Sequence, residues 1–193
     1  MSDAKIAFTG VMMAGGRSTR MGRDKALLTL EDGRTLLERA FETLWVAGAT
    51  DVFLSVGAGK KYGLPGAREI SDLQKDCGPM GGLAACFVEL QLPLCLVLAV
   101  DMPTMTPAYL SALTADAESG CGIVPVIDGS AEPLAAVYPK EAAAEVIAAI
   151  QAREFSLQRL VRKLEQKKLV RLRTVSAAER RFFANWNSPE DCR

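Results

Sequence analysis

The chain of 193 residues contains no histidine, and this absence excludes several kinds of active site. A Ser-His-Asp triad, a Cys-His pair and a His-ligated zinc or haem centre all require an imidazole. Any acid–base or metal chemistry within this sequence must use carboxylates, lysine, tyrosine, cysteine or backbone groups instead.

The sequence also lacks an excess of charge of either sign, because 23 lysines and arginines balance 23 aspartates and glutamates. Nucleic-acid-binding proteins usually carry a basic excess, so we expect no nucleic-acid partner. A balanced charge remains compatible with a small anionic substrate that a few placed side chains hold.

Paired cysteines and long apolar runs are missing as well. The five cysteines are odd in number and form no C-x-x-C pair, which predicts free thiols in a reducing cytoplasm. The apolar run at residues 92–100 is far shorter than the roughly 20 residues that span a bilayer. The polar start at residues 1–5 is unlike a secretory signal. We therefore expect a soluble, cytoplasmic protein without membrane contact.

Apolar content is sufficient for a sizeable core, since 49% of the residues are hydrophobic. The length favours one domain that covers residues 1–193. Continuous apolar runs alternate with helical patterns, and the clearest strand lies at residues 94–100. Further strands are predicted at residues 6–14, 51–56, 67–70, 122–126 and 134–138, with an edge strand at 169–175. Helices are predicted at residues 36–47, 80–90, 107–118, 141–151 and 156–166.

This alternation predicts an α/β fold of three layers, in which helices cover both faces of a mostly parallel twisted sheet. Ligands of such folds bind beyond the carboxyl ends of the strands. Two of the best predicted strands end in Ala14-Gly15-Gly16 and in Asp101, so these two places are the first candidates for chemistry.

The glycine pair opens a basic loop, Met13-Ala14-Gly15-Gly16-Arg17-Ser18-Thr19-Arg20-Met21-Gly22-Arg23-Asp24-Lys25. Glycines bring backbone N–H groups close to an anion, and arginine and lysine add charge-assisted bonds to phosphate. The loop is neither a Walker loop nor a dinucleotide fingerprint, because its glycine and lysine spacings fit neither pattern. From the residues alone, a plain strand–helix turn with solvated charges remains an alternative.

Asp101 follows the central strand in the segment Val100-Asp101-Met102-Pro103. A carboxylate there, next to a phosphate loop, is well placed for Mg²⁺, which prefers one or two carboxylates together with water and phosphate oxygens. A simple turn residue or helix N-terminal acid is the other interpretation.

The glycine loop resembles the signature L-A-G-G-x-S-x-R-M-G-x-D-K of the MobA-like NTP transferases, which make the dinucleotide form of the molybdenum cofactor; Met13 stands where leucine is usual. The resemblance implies a Rossmann-like nucleotidyltransferase fold. It implies that the backbone at Met13, Ala14, Gly15 and Gly16 holds the nucleotide, and that Lys25 and Arg20 act on the phosphates. Val100-Asp101-Met102-Pro103 is similar to the family's C/A-D-x-P, whose aspartate binds the metal and the nucleotide.

Asp72 and Gly78 lie in a stretch that resembles the family's D-x(n)-G-P-L-A-G, which implies that both contact the nucleotide. Asp76 is a rival to Asp72, because the spacing before Gly-Pro varies, and its other interpretation is a solvated loop charge. Ser55 ends the second strand where a guanylyltransferase of this family has asparagine, so its implied nucleotide contact is less direct.

Near the end, the run from Asn185 resembles the family's N-x-N-T-P-E-[DE]. The resemblance implies that Asn185 and Asn187 line the acceptor side, and that Asn187 approaches the metal. Ser188 with the acids after it also fits an ordinary helix start.

Glu132 stands in a family x-P-L-x-A-x-Y strand where glutamine or histidine is commoner. Residues 153–164 resemble a basic stretch near the pterin, or form a solvated amphipathic helix.

The implied activity is a Mg²⁺-dependent transfer of GMP from GTP to the terminal phosphate of molybdopterin, with transient contacts to other proteins of molybdenum-cofactor biosynthesis. The nearest alternatives are a molybdopterin cytidylyltransferase and a sugar-phosphate type nucleotidyltransferase. A non-catalytic nucleotide sensor is disfavoured by the presence of Lys25 and Asp101, and a nicotinamide-dependent oxidoreductase by the glycine spacing.

Overall fold

The computed structural model describes residues 6–14, 24–57, 59–72 and 76–186. Eight strands form one sheet: β1 Phe8–Met13, β2 Asp51–Val56, β3 Ala67–Ser71, β4 Leu94–Ala99, β5 Gly122–Ile127, β6 Ser130–Ala131, β7 Ala135–Pro139 and β8 Val170–Thr174. Five α-helices accompany it: α1 Leu36–Ala47, α2 Pro79–Glu89, α3 Pro107–Ala115, α4 Ala143–Gln151 and α5 Leu157–Gln166. Short 3-10 turns lie at Lys25–Leu27, Lys140–Ala142 and Arg180–Phe183.

The sheet runs in the order β3-β2-β1-β4-β7-β5-β6, and β8 pairs with β5. β3, β2, β1 and β4 are parallel to one another, as are β5 and β8. β7 is antiparallel to both β4 and β5. The mostly parallel α/β sheet with helices on both faces is therefore confirmed, and β8 has the edge position that its alternating apolar and basic residues predicted.

The two faces of the sheet are covered by separate apolar clusters. Within β4, Leu94, Leu96 and Leu98 belong to the cluster that contains α1 and α3. Cys95 and Val97 face the cluster that contains α2, α4 and α5. This alternation follows from the period of two in a strand, and burial on both faces explains why the run has no polar residue.

Local signals set the ends of α1. The Thr35 side chain accepts a hydrogen bond from the Glu38 N–H at 3.1 Å, and the Glu38 carboxylate accepts one from the Thr35 N–H at 2.7 Å. This reciprocal capping box starts the helix. Gly48, at φ 103°, ends it in the left-handed conformation that favours glycine.

Two predicted boundaries were inaccurate, and a third lies where the structure gives no description. The helix predicted to reach residue 118 ends at Ala115, because Glu118 and Cys121 pair across a tight turn around Gly120, at φ 80°. The first turn of the helix predicted at 141–151 is a 3-10 turn. The helix start at Ser188 lies outside the described residues.

None of the helices in the described ranges combines the length and apolar character needed to cross a membrane. Among the cysteines within these ranges, Cys86, Cys95 and Cys121 are free thiols as predicted.

Candidate active site

The carboxyl ends of β2, β1 and β4 meet at one edge of the sheet. The Ala14 N–H donates to the Ser55 carbonyl at 3.3 Å, and the Val100 N–H donates to the Met13 carbonyl at 3.3 Å. Met13 and Ala14 are buried, so it is their backbone that reaches this edge. The structure thus brings together the ends of the two strands that the sequence singled out, as parallel α/β folds require for a ligand site.

Lys25 and Asp101 meet at this edge although 76 residues separate them. The Lys25 Nζ lies 3.1 Å from the Asp101 Oδ2, and the two side chains are 19% and 29% exposed. Partial burial strengthens their attraction relative to a pair in open solvent. The pair places one cation and one carboxylate where a phosphate chain can contact both.

The segment that carries Lys25 is held by its neighbour Asp24. The Asp24 carboxylate accepts hydrogen bonds from the Ala26 N–H at 3.2 Å, the Lys60 Nζ at 2.7 Å and the Tyr62 hydroxyl at 2.9 Å. Burial raises the pKa of Asp24, but the three donors together lower it by a larger amount, so that its pKa lies below the ordinary value. Asp24 is therefore an anionic anchor for the turn at Lys25–Leu27, a role that the sequence did not reveal.

Glu69 on β3 fixes the loop that supplies those donors. Its Oε1 accepts hydrogen bonds from the Tyr62 and Gly63 N–H groups, both at 2.7 Å. A chain of contacts thus runs from β3 through this loop and Asp24 to Lys25. Rigid support of this kind keeps the Lys25 side chain in position.

Ser55 and Asp72 converge on Gly82 of α2. A Cβ on Gly82 would lie 2.0 Å from the Ser55 Oγ and 2.9 Å from the Asp72 Oδ1. Within the described part of the chain, both of these buried oxygens are without a hydrogen-bond partner. Because buried polar atoms are normally paired, the two oxygens form a cradle that a polar ligand can complete.

Burial raises the pKa of Asp72 above its ordinary value. The Ser55 hydroxyl lies close enough to offset part of this rise, although its geometry falls short of a hydrogen bond.

Nearby, α2 begins at Pro79 with Gly78 as its N-cap, at φ 56°, and with no side-chain cap. No side chain occupies this helix start, which favours an anionic or polar ligand there. Asp76, the rival of Asp72, is exposed, as a solvated loop charge would be.

Asn185 belongs to a segment that bonds to the backbone of Asp101. The N–H of its neighbour Trp186 donates to the Asp101 carbonyl at 2.9 Å, and the Asn185 side chain is exposed. The structure thus brings Asn185 to the same edge as Asp101. Gly15, Gly16, Arg20 and Asn187, four other predicted site residues, lie outside the described residues.

The segment around Glu132 also reaches this edge. The Ala99 N–H donates to the Leu134 carbonyl at 2.7 Å, directly before Val100 and Asp101. Glu132 is half-buried, and burial raises the pKa of its carboxyl. On α5, the Gln158 side chain bonds to the backbone of the adjacent Ala131 in both directions, which ties the predicted basic stretch to this part of the sheet.

The oxygen ligands suit a small hard cation. Within residues 6–14, 24–57, 59–72 and 76–186, no cluster of three or more histidine, cysteine, aspartate or glutamate side chains could hold a metal alone. Mg²⁺ needs no such cluster, because one or two carboxylates suffice when phosphate oxygens and water complete its shell. The partly exposed Asp101 carboxylate fits that requirement.

A comparison with protein families decides how this edge should be interpreted. Residues 10–169 match the model of the MobA-like NTP transferase domain. The chain belongs to the MobA-like NTP transferase family. Like other members of this family it is an NTP transferase, and the matched range contains Lys25, Ser55, Asp72 and Asp101.

Individual relatives of this MobA-like NTP transferase agree over most of its length. It is 36% identical to a probable molybdenum cofactor guanylyltransferase of Opitutus terrae, over 99% of this chain and 96% of that protein. It is 36% identical to a molybdenum cofactor guanylyltransferase of Xanthomonas euvesicatoria, over 95% of this chain and 91% of that protein. Among solved structures, the molybdopterin-guanine dinucleotide biosynthesis protein A of Archaeoglobus fulgidus superposes with a TM-score of 0.74 at 25% identity, covering 96% of this chain and 95% of that one.

Proposed function

We propose that this MobA-like NTP transferase transfers GMP from GTP to the terminal phosphate of molybdopterin and releases pyrophosphate. The observation that carries the proposal is the Lys25–Asp101 pair at 3.1 Å, at the strand edge of a chain whose 36% identical relatives are named guanylyltransferases. Those names favour guanine over the cytidylyl and sugar-phosphate alternatives.

The reaction needs no general base. The second pKa of a phosphate monoester is about 6, so the acceptor phosphate is already a dianion near neutral pH. It can attack the α-phosphorus of GTP in line, forming one P–O bond while the bond to pyrophosphate breaks. A chain without histidine suits this chemistry, in which the main barrier is the approach of two polyanions.

Asp101 would hold Mg²⁺, with Asn187 as a second ligand. The ion, when bound, would supply positive charge to the phosphate oxygens. The Asp101 side chain is accessible for this role, since it is 29% exposed. Its backbone carbonyl already accepts a hydrogen bond from the Trp186 N–H. Asp101 thus contributes only its carboxylate to the site.

Lys25 would exchange partners when GTP binds. Its ammonium group contacts the Asp101 carboxylate in the structure, and that contact limits the cost of burying either charge. Lys25, together with Arg20, would then bind phosphate oxygens, and the Asp101 carboxylate would be left to hold the metal. In the transition state Lys25 would neutralise charge on the α-phosphate and on the departing pyrophosphate.

The cradle of Ser55, Asp72 and the start of α2 would receive the nucleoside. Carboxylates accept hydrogen bonds only, and Asp72 can accept from the N–H donors of a guanine edge or from ribose hydroxyls. The N-terminus of α2 at Gly78 offers N–H donors to the same ligand. The backbone of Met13, Ala14, Gly15 and Gly16 would complete the nucleotide site, and Asn185 with Asn187 would face the acceptor.

We place the reaction in the cytoplasm, in keeping with the free thiols of Cys86, Cys95 and Cys121. Residues 1–193 would act as one catalytic domain. Delivery of molybdopterin and removal of the dinucleotide would involve transient contacts with other proteins of the same biosynthesis.

The test is pyrophosphate release from GTP and molybdopterin with MgCl₂. Asp101→Asn and Lys25→Met should each lower the rate by about 10²–10⁴, the effect of losing roughly 3–5 kcal/mol of transition-state stabilisation. Lys140→Met is the matched control, because its side chain is exposed and its backbone N–H donates to the Pro93 carbonyl, at the far end of β4 from Asp101. Pyrophosphate release that does not depend on molybdopterin, or a rate within tenfold of wild type in Asp101→Asn, would contradict the proposal.

A further inference from the structure

A cavity of about 430 Å³ opens between the turn that precedes α1 and the segments at Pro103 and Trp186. Its polar lining comes from the turn before α1 and from α1 itself, namely Glu31, Asp32, Arg34 and Arg39. Leu30, Pro103 and Trp186 supply the apolar lining. Its volume lies in the range of small-molecule sites, about 300–1,000 Å³.

Covalent and hydrogen-bonded connections tie this cavity to the reacting groups. Trp186 donates its N–H to the Asp101 carbonyl at 2.9 Å, and Pro103 follows Asp101 by two positions. Leu30 follows the 3-10 turn Lys25–Leu27 by three positions. The cavity therefore borders the Asp101 side of the site, whereas Ser55 and Asp72 lie across β1 on the β2–β3 side.

The charges of the lining cancel. Arg34 contacts Asp32, with 3.0 Å from its Nε to the Oδ2, and it also contacts Glu42. Arg39 lies 4.0 Å from Glu42. With Glu31 adding a further carboxylate, this lining offers no net positive charge. The two arginines that could bind a polyanion such as pyrophosphate are already paired with carboxylates. A neutral ligand with hydrogen-bond donors and acceptors therefore fits the cavity better.

We infer that this cavity holds the pterin ring system of the acceptor, with its phosphate directed towards Asp101. This inference rests on the proposed function. The pyrimidinone ring of a pterin is planar and uncharged, and its 2-amino-4-oxo edge presents N–H donors beside a carbonyl acceptor. The cavity offers the complement: Glu31 and Asp32 accept, Arg34 and Arg39 donate through the N–H groups that their ion pairs leave over, and the indole of Trp186 provides a stacking surface.

The two tryptophans of the chain allow a direct test. Trp45 lies on α1 and is 54% exposed, so it serves as the matched control for Trp186. In Trp45→Phe, Trp186 is the one remaining tryptophan, and titration with molybdopterin should quench its fluorescence. In Trp186→Phe, Trp45 should show no more than the absorption effect of the added pterin. Neither titration needs GTP or turnover.

Kinetics should separate the acceptor from the nucleotide. Stacking of a planar ring on an aromatic side chain is worth a loss of about tenfold or more when the side chain is removed. Trp186→Ala should therefore raise the KM for molybdopterin about tenfold and leave the GTP dissociation constant within twofold. Trp186→Phe should recover most of the acceptor affinity, and Trp45→Ala should behave as wild type.

Three outcomes would overturn the inference while the proposed function stands: equal quenching of both tryptophans, an unchanged KM in Trp186→Ala, or quenching of Trp186 by inorganic pyrophosphate. The last would assign the cavity to the leaving group. Failure of the wild-type protein to transfer GMP to molybdopterin is a separate result, and it would refute the proposed function itself.

Discussion

Gly82→Ala tests whether the start of α2 closes tightly over Ser55 and Asp72. An added Cβ would lie 2.0 Å from the Ser55 Oγ, whereas real Cβ contacts essentially never fall below 3.0 Å. The hydroxyl would have to retreat by about 1 Å, by difference of those two values. Ser55 is fully buried, so its hydroxyl can retreat only by displacing neighbouring atoms.

The expected cost can be weighed against the usual benefit of alanine. In a helix interior, glycine to alanine normally stabilises by about 1 kcal/mol. Overpacking a filled core costs typically 1–3 kcal/mol. The overlap should outweigh the helix preference, so Gly82→Ala should lower the free energy of unfolding by up to about 2 kcal/mol and weaken GTP binding about tenfold.

The double variant Ser55→Ala/Gly82→Ala isolates the contact. Ser55→Ala removes the Oγ at 2.0 Å, whereas the Ser55 Cβ at 3.2 Å and the Asp72 Oδ1 at 2.9 Å remain as close contacts, so the relief is partial. The double variant should therefore be more stable than Gly82→Ala alone, with a coupling energy of about 1–3 kcal/mol. Urea unfolding and GTP calorimetry measure both effects. Gly57→Ala is the control, because a Cβ there meets nothing within 4 Å. If Gly82→Ala raised stability by about 1 kcal/mol, as at an open helix position, the reasoning would be refuted.

Two other substitutions separate stability from binding. Burial raises the pKa of Asp72, so the folded protein holds this proton more tightly than the unfolded chain, and stability falls as pH rises through the folded pKa. Asp72→Asn should therefore raise the melting temperature at pH 7, with the gain disappearing near pH 4, while GTP binds more weakly. Asp24→Ala should lower the free energy of unfolding by about 1 kcal/mol, the usual cost of a lost capping side chain, and should lower kcat because Lys25 is less firmly held. Thermal melts at several pH values and steady-state kinetics measure these changes.

Each of these outcomes can fail in a distinct way. A lower melting temperature for Asp72→Asn at pH 7 would mean that the carboxylate has a stabilising partner. For Asp24, Lys60→Met is the partial control, since it removes one of the three donors to this carboxylate. An Asp24→Ala enzyme with wild-type kcat would show that the anchor contributes to folding alone.

Continuous apolar runs predicted the strands well, because burial on both faces leaves a strong pattern. Residues 94–100 were assigned to a central strand, and β4 is paired on both sides. The position of Asp101 after this strand followed directly. Strand direction did not follow in the same way: β7 is antiparallel, and a short apolar run carries no information about its direction.

Contacts between distant segments were harder to predict. Asp24 bonds to Lys60 and Tyr62, which lie 36 and 38 positions away, and no local pattern marks such a pairing. The convergence of Ser55 and Asp72 on Gly82 likewise depends on the register of β2 with β3 and on the position at which α2 packs against the sheet. Local patterns report on elements, whereas these side-chain groups exist only once the elements have packed.

The central claim, guanylyl transfer to molybdopterin, is tested most directly by competition. The protein is incubated with molybdopterin, MgCl₂ and equal concentrations of GTP, CTP, ATP and UTP, and the dinucleotide products are separated and identified by mass spectrometry. We expect the guanine dinucleotide as the dominant product from the wild type, and almost none from Asp101→Asn. Cytosine dinucleotide as the main product, or no dinucleotide at all, would contradict the proposed function.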